Sequence, residues 1–212
     1  MWIYVIRTGD SMSCQGGEMR KLNVFVFISG ALLIAAYLFH PVLGLRDPQA
    51  LAQDSDWQSK KIVPFVPTGQ KVVEKMLELA EVKKGDVLYD LGSGDGRIVI
   101  TAAQKYGVKA VGFEIDPELI KQSRERIRKE KLEKLAEIRE QDILTVDLSP
   151  ATVITMYLLP EVNLKLRPKI RSQLKPGSRI VSHDFDMDDW QPEKTVNLDN
   201  DTIYLWRIPA RR

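Results

Sequence analysis

The chain has 212 residues, a net charge of +2, 28% charged and 44% hydrophobic residues. That length suffices for one domain with a full core plus an appendage, and the near-balanced charge sets up no field that would favour nucleic acid over other partners. The single cysteine, Cys14, excludes a disulfide framework and a cysteine-based metal site, and two histidines, His40 and His183, are too few for a histidine-rich one, so no metal is expected.

Residues 1–21 form a short N-terminal flank. Residues 22–45 contain no Asp, Glu, Lys or Arg, and the run through Val24-Phe25-Val26-Phe27-Ile28 and Ala31 to Phe39 is almost wholly apolar. Spanning a bilayer takes about 20 such residues, so 22–45 reads as a single transmembrane anchor. The rival is a cleaved secretory signal that begins at Met19, with Met19-Arg20-Lys21 as its basic start and Ala50-Leu51-Ala52 as its cleavage site. Residues 46–61 (Asp47, Pro48, Gln49, Asp54, Ser55, Asp56) read as a polar linker, which leaves 62–212 as the folded domain.

From residue 62 onward short apolar runs alternate with amphipathic ones, the pattern of a doubly wound α/β domain. Thr68 is placed to cap a helix carrying Val72, Val73, Met76, Leu77 and Leu79. Val87 to Leu91 is the first strand, followed by a helix through Ala102, Ala103 and Tyr106 that Gly107 stops. Lys109 to Ile115 is the second strand. Asp116-Pro117 then opens a charged helix running to about Lys134, whose interspersed signs mark a solvated face rather than an RNA-binding one. Further strands are predicted near Ala136 to Arg139, Thr152 to Leu158 and Arg179 to His183. Two more lie around Lys194 to Leu198 and Thr202 to Ile208.

The most informative stretch is Val87 to Arg97, a strand, an acid, alternate glycines and a helix start. Gly92, Gly94 and Gly96 allow a sharp turn and a close ligand approach, and the following helix aims its free N–H groups at the same place. A strand–glycine turn–helix unit of this kind cradles nucleotide-type cofactors. In a dinucleotide fingerprint the third glycine would fall at Arg97, which is far too large for that role. The pattern is instead Asp-x-Gly-x-Gly-x-Gly, and an acid in the pocket suits a cofactor bearing ammonium and sulfonium charge. Glu114 ends the second strand, 24 positions beyond Asp90, close to the roughly 20-residue offset of a ribose-binding acid. Asp142, after the third strand, is placed to accept from an adenine amino group, with Ile143 packing on the ring; a loop-capping carboxylate is the alternative.

Residues 87–97, together with Gly112-Phe113-Glu114-Ile115-Asp116-Pro117 and Gln141-Asp142-Ile143, resemble the class I S-adenosylmethionine-dependent methyltransferases. The resemblance implies a Rossmann-like sheet of seven strands with the last antiparallel, and S-adenosyl-L-methionine as cofactor. It assigns Asp90, Gly92, Ser93, Gly94 and Gly96 to the cofactor loop, Glu114 to the ribose, and Asp142 and Ile143 to the adenine, with Ile115 and Thr68 also among the cofactor-binding residues. Pro64-Phe65-Val66-Pro67-Thr68 ahead of the domain, the Asp90–Val99 stretch and the single apolar segment are similar to the ATP synthase c-subunit lysine N-methyltransferase family and its bacterial relatives. That likeness implies a protein-lysine N-methyltransferase acting on a membrane-associated protein. A methyltransferase for a lipid or quinone-like molecule, and a cofactor-binding protein without catalysis, are the alternatives.

On the acceptor side, Thr155-Met156-Tyr157-Leu158-Leu159-Pro160 is not the Asn-Pro-Pro-Tyr motif of enzymes acting on planar amide or exocyclic amino groups. Tyr157 is a candidate to orient an amine. His183 with Asp184 is a candidate base pair, and Thr68 and Phe65 are candidates to close over the cofactor. Arg20 and Lys21 favour an N-terminus held inside, which would place the domain outside. The cofactor places it on the cytosolic or matrix side, where the domain is expected; export after cleavage near Ala52 is the alternative.

Overall fold

The computed structural model describes residues 64–210. The apolar segment 22–45, the linker, the candidate start at Met19 and the cleavage site lie outside the described residues. Among the described residues no helix is long and apolar enough to cross a membrane.

Helix α1 (Gln70–Leu79) precedes strand β1 (Val87–Leu91), α2 (Arg97–Tyr106), β2 (Lys109–Glu114), α3 (Pro117–Lys129), β3 (Ala136–Glu140) and β4 (Val153–Met156). Helix α4 (Pro160–Gln173), β5 (Arg179–His183), β6 (Lys194–Leu198) and β7 (Asp201–Arg207) complete the chain. The strands form a seven-stranded sheet in the order β3-β2-β1-β4-β5-β7-β6, with β7 antiparallel to both neighbours and the first five parallel. The order reverses between β1 and β4, and a ligand crevice is expected there, outside the carboxyl ends of the strands.

Alternation along β1 sends Leu88 to one face and Tyr89 and Leu91 to the other. Leu88 joins Val73, Met76, Val99, Ile120 and Ile127, the apolar faces of α1, α2 and α3. Tyr89 and Leu91 join Ile154, Met156, Leu166, Ile170 and Trp206 on the α4 side. The central strands β4 and β5 are buried on both faces and have no exposed residue, whereas the edge strand β3 exposes Glu137, Arg139 and Glu140.

Asp116 caps α3 as expected, its side chain accepting from the amides of Glu118 and Leu119, and Gly107 ends α2 in the left-handed region at φ 65°. Thr68 does not cap α1. Gly69 holds that position without a side-chain bond, because the Thr68 hydroxyl turns to His183 instead. The charged helix stops at Lys129, five residues short of the predicted end, and β4 is shorter at both ends than its apolar run. Helix α4 is the element that the sequence pattern did not announce. Pro168 lies inside it, and its buried residues Val162, Asn163, Leu166 and Ile170 make only a narrow stripe. Between β5 and β6 there is no helix, only turns and bends through residues 184–193.

Candidate active site

The carboxyl ends of β1, β2 and β4 open onto a cleft whose empty space, open solvent included, is about 830 Å³. Its wall is built from the Pro64–Thr68 segment, the glycine loop, Glu114 and Ile115, Leu119, Gln141 to Ile143, and Tyr157 with Leu158. The cleft thus brings together Asp90, Gly92, Ser93, Gly94, Glu114, Ile115, Asp142, Ile143, Tyr157 and Thr68 from the sequence-predicted set. Gly96 sits beneath it as the cap of α2, at φ 77°.

The loop is shaped by what its glycines lack. Gly94 sits at φ 53°, and a Cβ there would lie 2.4 Å from the Phe65 ring. Phe65 therefore packs directly on the loop backbone, and a larger residue at 94 would have to displace its ring. The amides of Gly92 and Ser93 both donate to the carbonyl of Phe113 at 3.0 Å, pinning the loop to the end of β2. Arg97 takes the place of a third glycine. Its guanidinium donates twice to the Asp95 carboxylate, at 2.9 and 2.8 Å, and once to the Thr68 carbonyl at 2.6 Å.

Asp90 is 2% exposed at the bottom of the cleft and accepts a 2.7 Å hydrogen bond from Thr155, its register partner on β4. Burial pushes its carboxyl up to about 7; the Thr155 bond pulls it down, and the charges of Glu114 and Asp95 add to the rise. A carboxyl held this way is ready to ionise opposite a cation. Glu114 is committed in part to the fold: Oε2 accepts from the Gly94 amide at 2.8 Å, and Oε1 accepts from Ile115 at 2.8 Å and Asp116 at 3.1 Å. A carboxylate offers about four acceptor positions, so Oε2 keeps one for a ribose hydroxyl. Asp142 caps its own turn, Oδ1 accepting from Leu144 at 2.9 Å, and lines the cleft as well.

The residues fit S-adenosyl-L-methionine. Asp95 is neutralised by Arg97 and Arg126, so the uncompensated acids are those that face a cationic, hydroxyl-bearing ligand. The Ser93 hydroxyl is buried without a hydrogen-bond partner among the described residues, within the loop that would hold the ligand. Ile115, Leu119 and Ile143 supply an apolar slot for a flat ring.

On the opposite wall, the Tyr157 hydroxyl donates to Asp184 Oδ2 at 3.2 Å, and burial with the Asp184 charge raises its phenol above the ordinary range. The Tyr157 ring lies 3.9 Å from the His183 ring and 6.2 Å from that of Phe185. His183 does not line the cleft. It is 2% exposed behind Tyr157 and Thr68, with Nδ1 3.3 Å from the Thr68 hydroxyl and Nε2 2.9 Å from Asp201. Asp184, the partner expected from sequence, is farther, at 3.4 Å. Asp201 and Thr155 are residues that the sequence did not single out, since both reach the site through strand pairing.

A family model described as ANTKMT methyltransferase domain matches residues 90–194. A protein-lysine N-methyltransferase of Saccharolobus islandicus (strain REY15A) is 47% identical over 151 residues, covering 69% of this chain and 94% of that protein. The ATP synthase c-subunit lysine N-methyltransferase of Rattus norvegicus is 33% identical over 153 residues, covering 72% of this chain and 70% of that one. Among solved structures, an RNA methyltransferase from Salinibacter ruber in complex with S-adenosyl-L-homocysteine is 54% identical. It superposes with a TM-score of 0.68, covering 69% of this chain and 96% of that one. With the cleft above, these likenesses place the chain in the ANTKMT-type methyltransferase family, as an S-adenosylmethionine-dependent methyltransferase.

Proposed function

We propose that the chain is a protein-lysine N-methyltransferase whose substrate is membrane-associated. The observation that carries the lysine reading is the 47% identity to a protein-lysine N-methyltransferase along 94% of that protein's length. Bound S-adenosylmethionine supplies a methyl group on a sulfonium centre. Asp90, Ser93, the glycine loop, Glu114 and Asp142 would hold it. The chain's own task is then positioning, since transfer needs the acceptor aligned about 3–3.5 Å from the methyl. Tyr157, Leu158 and Phe65 offer an amphipathic wall on which the aliphatic stem of a lysine can lie, with the Tyr157–Asp184 pair near its polar end. A lysine ammonium has a reference pKa of about 10.4 and must shed a proton before it can attack.

The apolar segment 22–45 supports a bilayer anchor, and a cytosolic or matrix-facing domain follows from where the cofactor is made. The Salinibacter relative is described as an RNA methyltransferase, which favours RNA as a second acceptor class. Tritium-methyl labelling of membranes lacking the protein, with the full chain added back, separates the readings. Label recovered as methyl-lysine in a protein band is the expected result; label only in RNA or only in the lipid extract overturns it. Protease protection in intact cells or organelles tests the topology, and cleavage of the domain from the outer side would refute it.

A further inference from the structure

We infer that His183 accepts the proton that the acceptor amine must lose, with Thr68 carrying it from the cleft and Asp201 holding the imidazole in the receiving tautomer. The inference rests on the lysine reading above, because the proton it follows is the one a lysine ammonium must shed before attack. Thr68 is 5% exposed and lines the cleft; His183 lies directly behind it. The carboxylates that face the imidazole are both on its Nε2 side, Asp201 at 2.9 Å and Asp184 at 3.4 Å. A carboxylate accepts only, so it holds the hydrogen on Nε2 and leaves the Nδ1 lone pair turned toward the Thr68 hydroxyl. The basic nitrogen thus points toward the cleft.

Each proton has a destination. The ammonium gives its proton to Thr68 Oγ1 as that hydroxyl passes its own to His183 Nδ1. The amine is left neutral and His183 an imidazolium, beside Asp184 and Asp201. Once product has left, Nδ1 returns its proton through Thr68 to water in the emptied cleft, which restores the resting Nε2–H tautomer; until then Asp201 and Asp184 balance the imidazolium charge. The groups facing His183 among the described residues are Thr68 from before α1, Tyr157 from after β4, Asp184 next in the chain and Asp201 from β7. Arg97 acts one bond further away, holding the Thr68 carbonyl at 2.6 Å and so fixing the hydroxyl's position.

The test uses the full chain in detergent micelles, with methyl-lysine formation in enzyme-depleted membranes followed by mass spectrometry. His183→Gln should slow transfer about a hundredfold at pH 7.5, within the usual range for general acid–base catalysis. The gap should narrow by up to tenfold per pH unit above that, as acceptor amines arrive already neutral, while calorimetry shows cofactor affinity unchanged. A loss equal at every pH marks a structural role and overturns the inference, as does no loss at all. Thr68→Val should reproduce the pH-dependent defect and Thr68→Ser should restore most of the rate, which keeps the test decisive if His183→Gln misfolds. The chain has only two histidines, so ¹⁵N imidazole spectra resolve His183 by comparison with the variant. A hydrogen on Nε2 is expected, and one on Nδ1 would overturn the relay. Failure of the wild-type chain to form methyl-lysine refutes the lysine reading itself, and this inference with it.

Discussion

Replacing Asp90 with asparagine should weaken cofactor binding while making the cofactor-free fold more stable. In the free protein the carboxyl titrates near 7 against an ordinary 3.8, because burial disfavours its charge. The folded state therefore keeps a proton that the unfolded chain releases. The sign follows: any stabilising contribution is intact below pH 3.8 and is lost as pH rises toward and through about 7. That interval, at 1.36 kcal/mol per pH unit, bounds the loss at about 4 kcal/mol. Asp90→Asn, isosteric and uncharged, should raise the melting temperature of the free protein by several degrees at pH 8, with a gain that shrinks toward pH 4. Binding runs the other way. A cationic ligand selects the ionised carboxylate, so wild-type affinity should fall by up to tenfold per pH unit below 7 and level off above it. Calorimetry near pH 6.5 in two buffers of different ionisation enthalpy should show proton release on binding by the wild type and none by the variant. At pH 8 the variant should bind about 10- to 150-fold more weakly, the loss of about 1.5–3 kcal/mol expected for a hydrogen bond to a charged group. Equal wild-type affinity at pH 6 and pH 8, without proton release, would refute the reasoning.

Thr155→Val removes the hydrogen bond that favours the ionised Asp90, so the midpoint of pH-dependent cofactor binding should move upward; an unchanged midpoint would show that Thr155 does not tune the acid. Gly94→Ala places a Cβ 2.4 Å from the Phe65 ring at φ 53°, and should displace Phe65 and cost cofactor affinity, with Phe65→Ala in the same chain relieving the clash but not the backbone strain. Arg179→Ala leaves Asp86 buried without its 2.6 Å partner and should destabilise the fold by about 3–5 kcal/mol in denaturant titrations. At Asp86, burial alone would raise the carboxyl, but hydrogen bonds from Arg179, Thr152 and the Lys83 amide outweigh it and hold the acid below 3.8. Its stabilising contribution is therefore present above pH 3.8 and lost as pH falls below it; the Arg179→Ala protein should lose the share of that acid-sensitive component that Arg179 supplies.

The parts of the site legible in the sequence are those whose chemistry is local. The glycine loop spells its turn, its cap and its acid within a few residues, and Glu114 ends a strand whose apolar run is unmistakable. The tail strand Lys194–Leu198 and the strand Arg179–His183 match the structure end to end, because turn residues bracket them. What stayed hidden is what pairing creates. Thr155 meets Asp90 only because β1 and β4 are neighbours in register, 65 residues apart in the chain. Asp201 displaces Asp184 as the nearer partner of His183 because β7 runs back antiparallel along β5 and sets Ile203 opposite His183. Helix α4 was obscured by Pro168 and a single narrow apolar stripe, where a helix against a sheet ordinarily shows a wider one. Thr68 had the right residue type and position for a cap, and a more distant partner took its hydroxyl.

Arg97 shows how one position can serve the two halves of the site. As a sequence feature it only excluded a dinucleotide fold, since a third glycine was missing. In the structure its guanidinium joins Asp95 in the cofactor loop to the carbonyl of Thr68, and so fixes the Pro64–Thr68 segment across the cleft. Phe65 then rests on Gly94, and the Thr68 hydroxyl is held against His183. A glycine at 97 would leave that segment attached only through its chain neighbours, its packing and the Thr68–His183 hydrogen bond. The bulky cation therefore ties the wall that faces the acceptor to the loop that faces the cofactor, and any displacement of one is felt by the other. In a reaction whose catalysis is chiefly alignment over a few tenths of an ångström, that mechanical coupling has direct consequences for rate.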